Sequence, residues 1–482
     1  MDILTYSLIF ILLSSFIGIY LSRNVHTVKA YAIADRSLPL SISTATVFAT
    51  WFGAEAILGI PESFMEHGLV GVISDPIGAF LCLMILGFFF ARRFYNMDVI
   101  TIVDFFYNRY GKMIEIMIGL AISLSYVGWI AAQFIAFGNV LSFMLKGAVT
   151  VDAGIMLGAA IIVGYTFKGG MLAVAINDFI QTVIISLSLI FMLFLIADMS
   201  GGFSEVLDFA VKTHRTSLEF DADYPNYTFI FGILFSMILG TIPQQDTFQR
   251  ITSAKSARVA VQSTILGGFV YLTITLIPLF IVLAATKMQL EATGQIPEDF
   301  NLYIAYFVMD HVPKVVQVFF FGSLFAAILS TASGTLLATS IVLSRNVLGE
   351  FFPRKANLLV VRLTLVTVTL FVCLFALYST DSIHQLVENS GKVTMVIVFF
   401  PLIFGMFWEK ASYVGVLAGI ILSTAVWLSL IFYQSIQDVK LDVAPEIVGF
   451  ILSFLIIVIC SLCFPDSTAL KQEITHHRHI PK

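Results

Sequence analysis

Phe325-Ala326-Ala327-Ile328-Leu329-Ser330-Thr331-Ala332-Ser333 puts two adjacent hydroxyls in the middle of a long apolar run, among small side chains. A membrane interior has no water to satisfy polar groups, so hydroxyls there need partners. Small neighbours let another backbone come close. Ser330 and Thr331 can offer oxygen ligands to a small hard cation, with the carbonyl of Ala327 within reach. They can equally bond back to the carbonyl one turn earlier, as membrane serines and threonines often do.

The rest of the chain supports the membrane setting. Of its 482 residues, 59% are hydrophobic and 12% charged, and the mean hydropathy is +0.95. Apolar runs of about 20 residues recur from end to end, the length needed to cross a bilayer. An all-α membrane protein of about 13 transmembrane helices is expected. The spans lie near 3–22, 41–62, 70–93, 113–143, 149–166, 171–197, 227–248, 258–285, 314–343, 357–379, 385–407, 411–434 and 445–464. The N-terminal run lacks a basic leader and a small-residue cleavage site and is read as a retained span. Alternate loops and the tail hold 19 of the 26 Lys and Arg, among them Arg36, Arg92, Arg109, Arg250, Arg345 and Lys355. The opposite loops are acidic, as from Asp198 to Asp223 and from Glu291 to Asp310. Basic loops stay on the cytoplasmic side. The N-terminus is therefore expected outside and the C-terminus inside, in the plasma (inner) membrane.

Some features exclude chemistry. Cys82, Cys373, Cys460 and Cys463 are scattered through apolar runs without metal-ligand spacing and read as small core residues. No nucleotide-binding glycine loop, metal cluster or nucleophile–base pair is found, so neither an enzyme nor a cofactor is expected, and no nucleic-acid partner. The lipid bilayer is the one partner that composition dictates. The His476-His477-Arg478-His479 run reads as a basic membrane-proximal end, and Asn226-Tyr227-Thr228 matches a glycosylation acceptor beside a span.

Two spans are interrupted. One reads Ala49-Thr50-Trp51-Phe52-Gly53-Ala54-Glu55 and then Gly59-Ile60-Pro61; the other reads Gly240-Thr241-Ile242-Pro243-Gln244-Gln245-Asp246. Glycine and proline inside a span free backbone groups that must face protein or a cavity. If spans 2–6 and 7–11 form two halves, the breaks occupy equivalent places, and paired broken helices point to a binding site near the midplane.

Three further stretches carry a resemblance. Tyr31-Ala32-Ile33-Ala34-Asp35-Arg36-Ser37-Leu38-Pro39 follows the first span, and Thr101-Ile102-Val103-Asp104-Phe105 through Arg109-Tyr110-Gly111 precedes the fourth. The most specific is Tyr165-Thr166-Phe167-Lys168-Gly169-Gly170-Met171-Leu172-Ala173-Val174-Ala175-Ile176-Asn177-Asp178-Phe179-Ile180-Gln181. With these, the chain resembles the sodium:solute symporter family, which has the LeuT-like inverted repeat of five plus five helices. The resemblance implies a single transporter domain over 1–482. Residues 1–40 would hold the first span and a cytoplasmic loop, 41–197 the first repeat, 227–407 the second, and 408–482 the last two spans and a short cytoplasmic tail. It implies a sodium-coupled secondary symporter that imports a small organic solute by alternating access, with sodium as the coupling ion. Matched residue by residue, the sodium ligands fall on the carbonyls of Ala49, Phe52 and Ala327 and the hydroxyls of Ser330 and Thr331. Asp178 matches a family aspartate near the inner end of the sodium path, a gate position; it can also pair with Lys168 or Arg250.

The expected solute site gathers Trp51, Glu55, Trp129, Gln133, Gln244, Gln245 and Asp246. Ionisable residues within spans are functional candidates by default. Glu55 and Asp246 each follow a break, so they favour a cationic or zwitterionic solute, or a coupled proton, unless they pair with Lys392 or Arg250. Trp51 and Trp129 lie deep in spans, and their surroundings resemble the choline-transporter branch of the family, where aromatic faces suit a quaternary ammonium. The alternative is ordinary helix packing. That branch has a further tryptophan where this chain has Gln244, so one wall of the cage is missing, and an amino acid or another small polar solute fits as well. Two rival readings remain open. One is a transporter-like solute sensor signalling to a separate partner; the other is a proton-coupled symporter.

Overall fold

The computed structural model describes residues 5, 20, 26–219, 226–297, 300, 302–350, 358–437, 439 and 441–466, without the side chains of residues 165, 168 and 350. The expected first span, the histidine tail, and Arg23, Asp223, Arg354 and Lys355 lie outside them. The described residues are helical almost throughout; their one bridge of β type pairs Leu38 with Ala254.

We number the helices α1 Leu40–Trp51, α2 Glu55–His67, α3 Val70–Asn96, α4 Ile102–Tyr110, α5 Lys112–Met144, α6 Val151–Gly164, α7 Gly169–Met199, α8 Phe203–Lys212, α9 Tyr227–Thr241, α10 Gln245–Thr252, α11 Ala257–Thr293, α12 Tyr303–His311, α13 Lys314–Val347, α14 Leu358–Tyr378, α15 Ile383–Phe407, α16 Tyr413–Gln437 and α17 Pro445–Cys463. Nine are long and apolar enough to cross a bilayer. The bent pairs α1–α2 and α9–α10 raise that to 11, and α6 is a shorter apolar helix. The 12 spans expected after residue 40 thus all have helical counterparts, while a count of 13 would need the undescribed N-terminal run.

Both interruptions are real bends. The α1–α2 pair bends by 59° and the α9–α10 pair by 44°. At the first, Phe52 leaves helical geometry (φ −104°, ψ 83°). The Glu55 carboxylate then folds back over Gly53, where a Cβ would lie 2.5 Å from Glu55 Oε2. At the second, Pro243 has no N–H to donate and Gln244 is extended (φ −76°, ψ 143°).

Packing places α13 at the centre, against α5, α7 and α14. Its residues from Phe320 to Val342 are buried almost without interruption. Gly240 on α9 and Gly391 on α15 bring two backbones together: a Cβ on Gly240 would meet the Gly391 carbonyl at 2.1 Å. Such small-residue contacts are how apolar helices gain packing in lipid. Gly170, at the start of α7, kinks the chain at φ 56°, a region glycine tolerates, and a Cβ there would strike the Tyr31 ring. Tyr31 donates to the Thr166 carbonyl at 2.9 Å. Two of the sequence stretches that carry the family resemblance therefore touch.

At the end of the bundle rich in Lys and Arg, Thr101 and Asp104 form a reciprocal cap on α4. Arg345 at the end of α13 pairs with Asp104 at 3.0 Å, and Asn346 donates to Asp104 and to Glu115. Burial pushes the Asp104 carboxyl up, but the Arg345 guanidinium and these hydrogen bonds outweigh it and hold the group below the usual aspartate range. Asn226 caps α9, accepting from the Thr228 N–H at 2.9 Å and donating to the Asp442 carbonyl, so in this structure it is a structural residue. Of the four cysteines, Cys82 is buried, Cys373 and Cys460 are half-buried and Cys463 is exposed. The expectation that all four are core residues holds only for Cys82. An apolar residue on a peripheral membrane helix can face lipid as readily as protein.

Candidate functional site

Helix α1 ends at the break, so its last carbonyls have no partner within the helix. Helix α13 crosses there. Thr331 donates to the carbonyl of Ala49 at 3.1 Å, and Ser330 donates to Asp178 Oδ1 on α7. By contrast Ser333, Thr335, Thr339 and Ser340 all bond back to carbonyls of α13. The two hydroxyls singled out in the sequence thus reach across to other helices. Ala49, Phe52, Ala327, Ser330 and Thr331 are all buried.

Of the basic partners considered for Asp178, Arg250 faces it, and Ser330 reaches it as well. Its Oδ1 accepts from Ser330, and its Oδ2 faces Arg250 Nη2 at 3.8 Å. Arg250 is a wholly buried guanidinium on α10. Its Nε donates to Thr50 Oγ1 at 2.8 Å and its Nη1 to the Met171 sulfur at 3.5 Å. It lies against Gly334, where a Cβ would come within 2.2 Å of Nη2. Any larger residue at 334 would push the guanidinium away from Asp178.

Beyond the breaks lies an aromatic group. Trp51 meets Trp129 edge to face at 6.5 Å and Tyr271 at 6.3 Å between ring centroids. Gln133, one turn along α5 from Trp129, donates to Glu55 Oε2 at 2.7 Å and accepts from the Ala54 N–H at 3.0 Å. It therefore holds the broken end of α1–α2 and the carboxylate together. On the other side of Trp129 along α5, Tyr126 donates to Asp246 Oδ1 at 2.6 Å and accepts from the Asp246 N–H. Tyr271 donates to Asp75 on α3. Several buried atoms here have no hydrogen-bond partner among the described residues: Glu55 Oε1, Trp129 Nε1, Asp246 Oδ2 and both amide atoms of Gln244. Buried polar groups are rarely left so.

Neither Glu55 nor Asp246 takes the alternative partner considered for it. Lys392 pairs with Glu446 at 3.8 Å, and Arg250 pairs with Asp178. Gln245 departs from the expected site. Its Oε1 accepts from the Ile102 N–H at 2.8 Å, so it caps the start of α4 on the basic side. The turn of α10 after the break aims Asp246 inward and Gln245 outward. Tyr126, Tyr271 and Asp75 were missed by sequence reasoning. Tyr126, Trp129 and Gln133 at i, i+3 and i+7 share one helix face, which was a usable signal. Asp75 within a span was another.

A cavity of about 650 Å³ opens above this group and is lined by Gly59, one turn past Glu55 on α2. Glu62, Glu66, Asp381, Glu388 and Glu446 also line it, with Lys392 the one Lys or Arg among the lining residues. It lies at the ends of α2 and α15 away from the basic cluster of α4, α5 and α13.

Known proteins share this fold. The profile of the sodium:solute symporter family matches residues 31–423. High-affinity choline transporter 1 of Caenorhabditis elegans is 25% identical over 406 residues, covering 80% of this chain and 68% of the relative. Sodium/proline symporter 2 of Staphylococcus saprophyticus is 27% identical over 443 residues, covering 86% and 83%. A solved sodium-coupled sialic acid symporter in a substrate-bound outward-open state matches with a TM-score of 0.81 at 17% identity, over 96% of this chain and 98% of that one. That likeness carries the LeuT-type fold expected from the sequence. With the family match spanning most of its length and the bent helix pairs in corresponding places, the chain belongs to the sodium:solute symporter family and is a sodium-coupled membrane transporter, not an enzyme.

Proposed function

We propose that sodium binds where α13 crosses the end of α1, ligated by the carbonyls of Ala49, Phe52 and Ala327 and the hydroxyls of Ser330 and Thr331. The observation that carries this is the pair of hydroxyls reaching out of α13 while their neighbours bond back. A hard monovalent cation suits neutral oxygen ligands and carbonyl dipoles. Ser330 can give its proton to Asp178 and turn a lone pair to the ion, so Asp178 orients the ligand and marks the inner side of the path. The solute is a small organic cation or zwitterion held by Trp51, Glu55, Trp129, Gln133, Gln244 and Asp246. It enters from the acidic cavity, which faces outward in the plasma membrane, while the basic loops face the cytoplasm. One sodium moving down 100 mV supplies about 2.3 kcal/mol, enough for roughly 40-fold accumulation of a neutral solute.

Ser330→Ala combined with Thr331→Val tests the sodium site. Uptake by the purified protein in vesicles should need at least tenfold more sodium for half-maximal rate; unchanged sodium affinity would place the ion elsewhere. Replacing external sodium at fixed pH separates this reading from proton coupling through Glu55 or Asp246. For orientation, a chain freed of its native cysteines and carrying Asp208→Cys should react with an impermeant thiol reagent from outside. The Arg92→Cys counterpart should not, and reversed labelling would invert the topology.

A further inference from the structure

The candidate solute site has two acidic ends, each anchored on α5. Tyr126 holds Asp246 and Gln133 holds Glu55. Seven residues along one continuous helix set these two anchors about 10 Å apart at 1.5 Å per residue, on nearly the same face. Trp129 lies between them on that face, with Trp51 against it. Each carboxylate keeps one oxygen that is buried and unpartnered among the described residues, Glu55 Oε1 and Asp246 Oδ2. Tyr271, edge to face with Trp51, donates to Asp75, a third buried carboxyl beside this group. Among the described residues no Lys or Arg forms an ion pair with either carboxyl; Arg250 is near enough to attract Asp246, but its hydrogen bonds go to Thr50 and Met171 and its ion pair to Asp178.

We infer that the solute is a linear dication, an α,ω-diamine, with one ammonium at Glu55, the other at Asp246 and its methylene chain across the tryptophan pair. This rests on the proposed location of the solute site. The lengths agree. Charge-assisted hydrogen bonds of about 2.8 Å at each end would leave roughly 4–5 Å between the nitrogens if the carboxyls keep the spacing of their anchors. An extended chain gains about 1.2 Å per bond, so about three to four methylenes fit. The apolar linker meets aromatic faces, and each ammonium gains a cation–π contact as well as a carboxylate. A zwitterionic amino acid fits worse, because its carboxylate would meet one of the two acids without a basic partner. The acidic cavity above Glu55, five carboxylates against Lys392, concentrates cations at the entrance.

The test titrates purified protein at saturating sodium with 1,4-diaminobutane, 1-aminobutane, choline and proline, reading the rise in unfolding temperature. The diamine should half-saturate at a concentration at least tenfold below that of the monoamine. Glu55→Gln and Asp246→Asn should each bring the diamine to the monoamine's level while the sodium-induced rise is kept, which reports that the variants are folded. The comparison among ligands on the unaltered chain stands even if a variant fails to fold. Equal response to diamine and monoamine, or tighter choline binding, overturns the dication and leaves a cationic solute standing. Binding of proline alone overturns the dication and leaves the zwitterion of the proposed function standing, and silence from the diamine overturns the inference.

Discussion

Two buried polar regions flank the same pair of breaks, and they treat their hydrogen bonds differently. Where α13 meets α1 and α7, Thr331 donates to Ala49, Ser330 to Asp178 and Arg250 to Thr50, and the two atoms left without a hydrogen bond, Asp178 Oδ2 and Arg250 Nη2, are of opposite charge and face each other at 3.8 Å. Around Trp51 and Trp129, five buried polar atoms on Glu55, Trp129, Gln244 and Asp246 face none among the described residues. An unsatisfied buried group costs about 1–3 kcal/mol. The first region can therefore hold its geometry ready for the proposed ion. In the second, the unpartnered atoms are the ones that the proposed solute would meet. The contrast suits a protein whose ion is common to its family and whose solute is its own.

The largest effect expected from breaking this contrast lies in the satisfied region. Arg250→Gln leaves Asp178 as a buried carboxylate without its cation, and opening a buried pair costs about 3–5 kcal/mol. Thermal unfolding should show a steep loss, and adding Asp178→Asn should recover much of it. Losses that simply add would mean the two groups do not act as a pair. A smaller effect is expected in the unsatisfied region. Trp51→Ala should raise the solute concentration for half-maximal uptake by a few-fold to about 30-fold, the range of about 0.5–2 kcal/mol for a cation–π contact, while sodium affinity changes less. Gln244→Trp should shift preference toward quaternary ammonium solutes by restoring an aromatic wall. Uptake competition on both variants is the measurement, and selectivity like the parent's in both would make these residues packing alone.

The smallest effect belongs to the basic end. Asp104 is held below its ordinary range, so its pairing stabilises the fold at any pH above the unfolded value of about 3.9 and is lost as pH falls through the folded value. Asp104→Asn should therefore lower the unfolding temperature by a constant amount between pH 5 and 8, with the gap closing only in acid. A gap that varies across neutral pH would assign the titration to another group.

Much of this was legible before the structure. Twenty-residue apolar runs mark spans because lipid imposes that length, and Gly53 and Pro243 mark breaks because each disrupts a helix for a local reason. Ser330 and Thr331 stood out because paired hydroxyls amid alanines are costly without partners. What was not legible was direction. After a break the helical phase restarts, so nothing local says that Gln245 turns to Ile102 while Asp246 turns to Tyr126. Nor does the chain announce pairings such as Tyr271 with Asp75, which are 196 residues apart. The residues nearest the breaks were named, with Trp129 and Gln133 from α5 and the two hydroxyls of α13, while Tyr126, Tyr271 and Asp75 were not.

The single bridge between Leu38 and Ala254 has a mechanical meaning. Leu38 donates to the Ser253 carbonyl at 3.0 Å and accepts from the Lys255 N–H at 2.9 Å. This staples the residues leading into α1 to the residues leaving α10. The two bent pairs are thereby joined at one end through backbone atoms that no ordinary side-chain substitution removes. A displacement of either bent pair at this end therefore loads the other through two peptide hydrogen bonds.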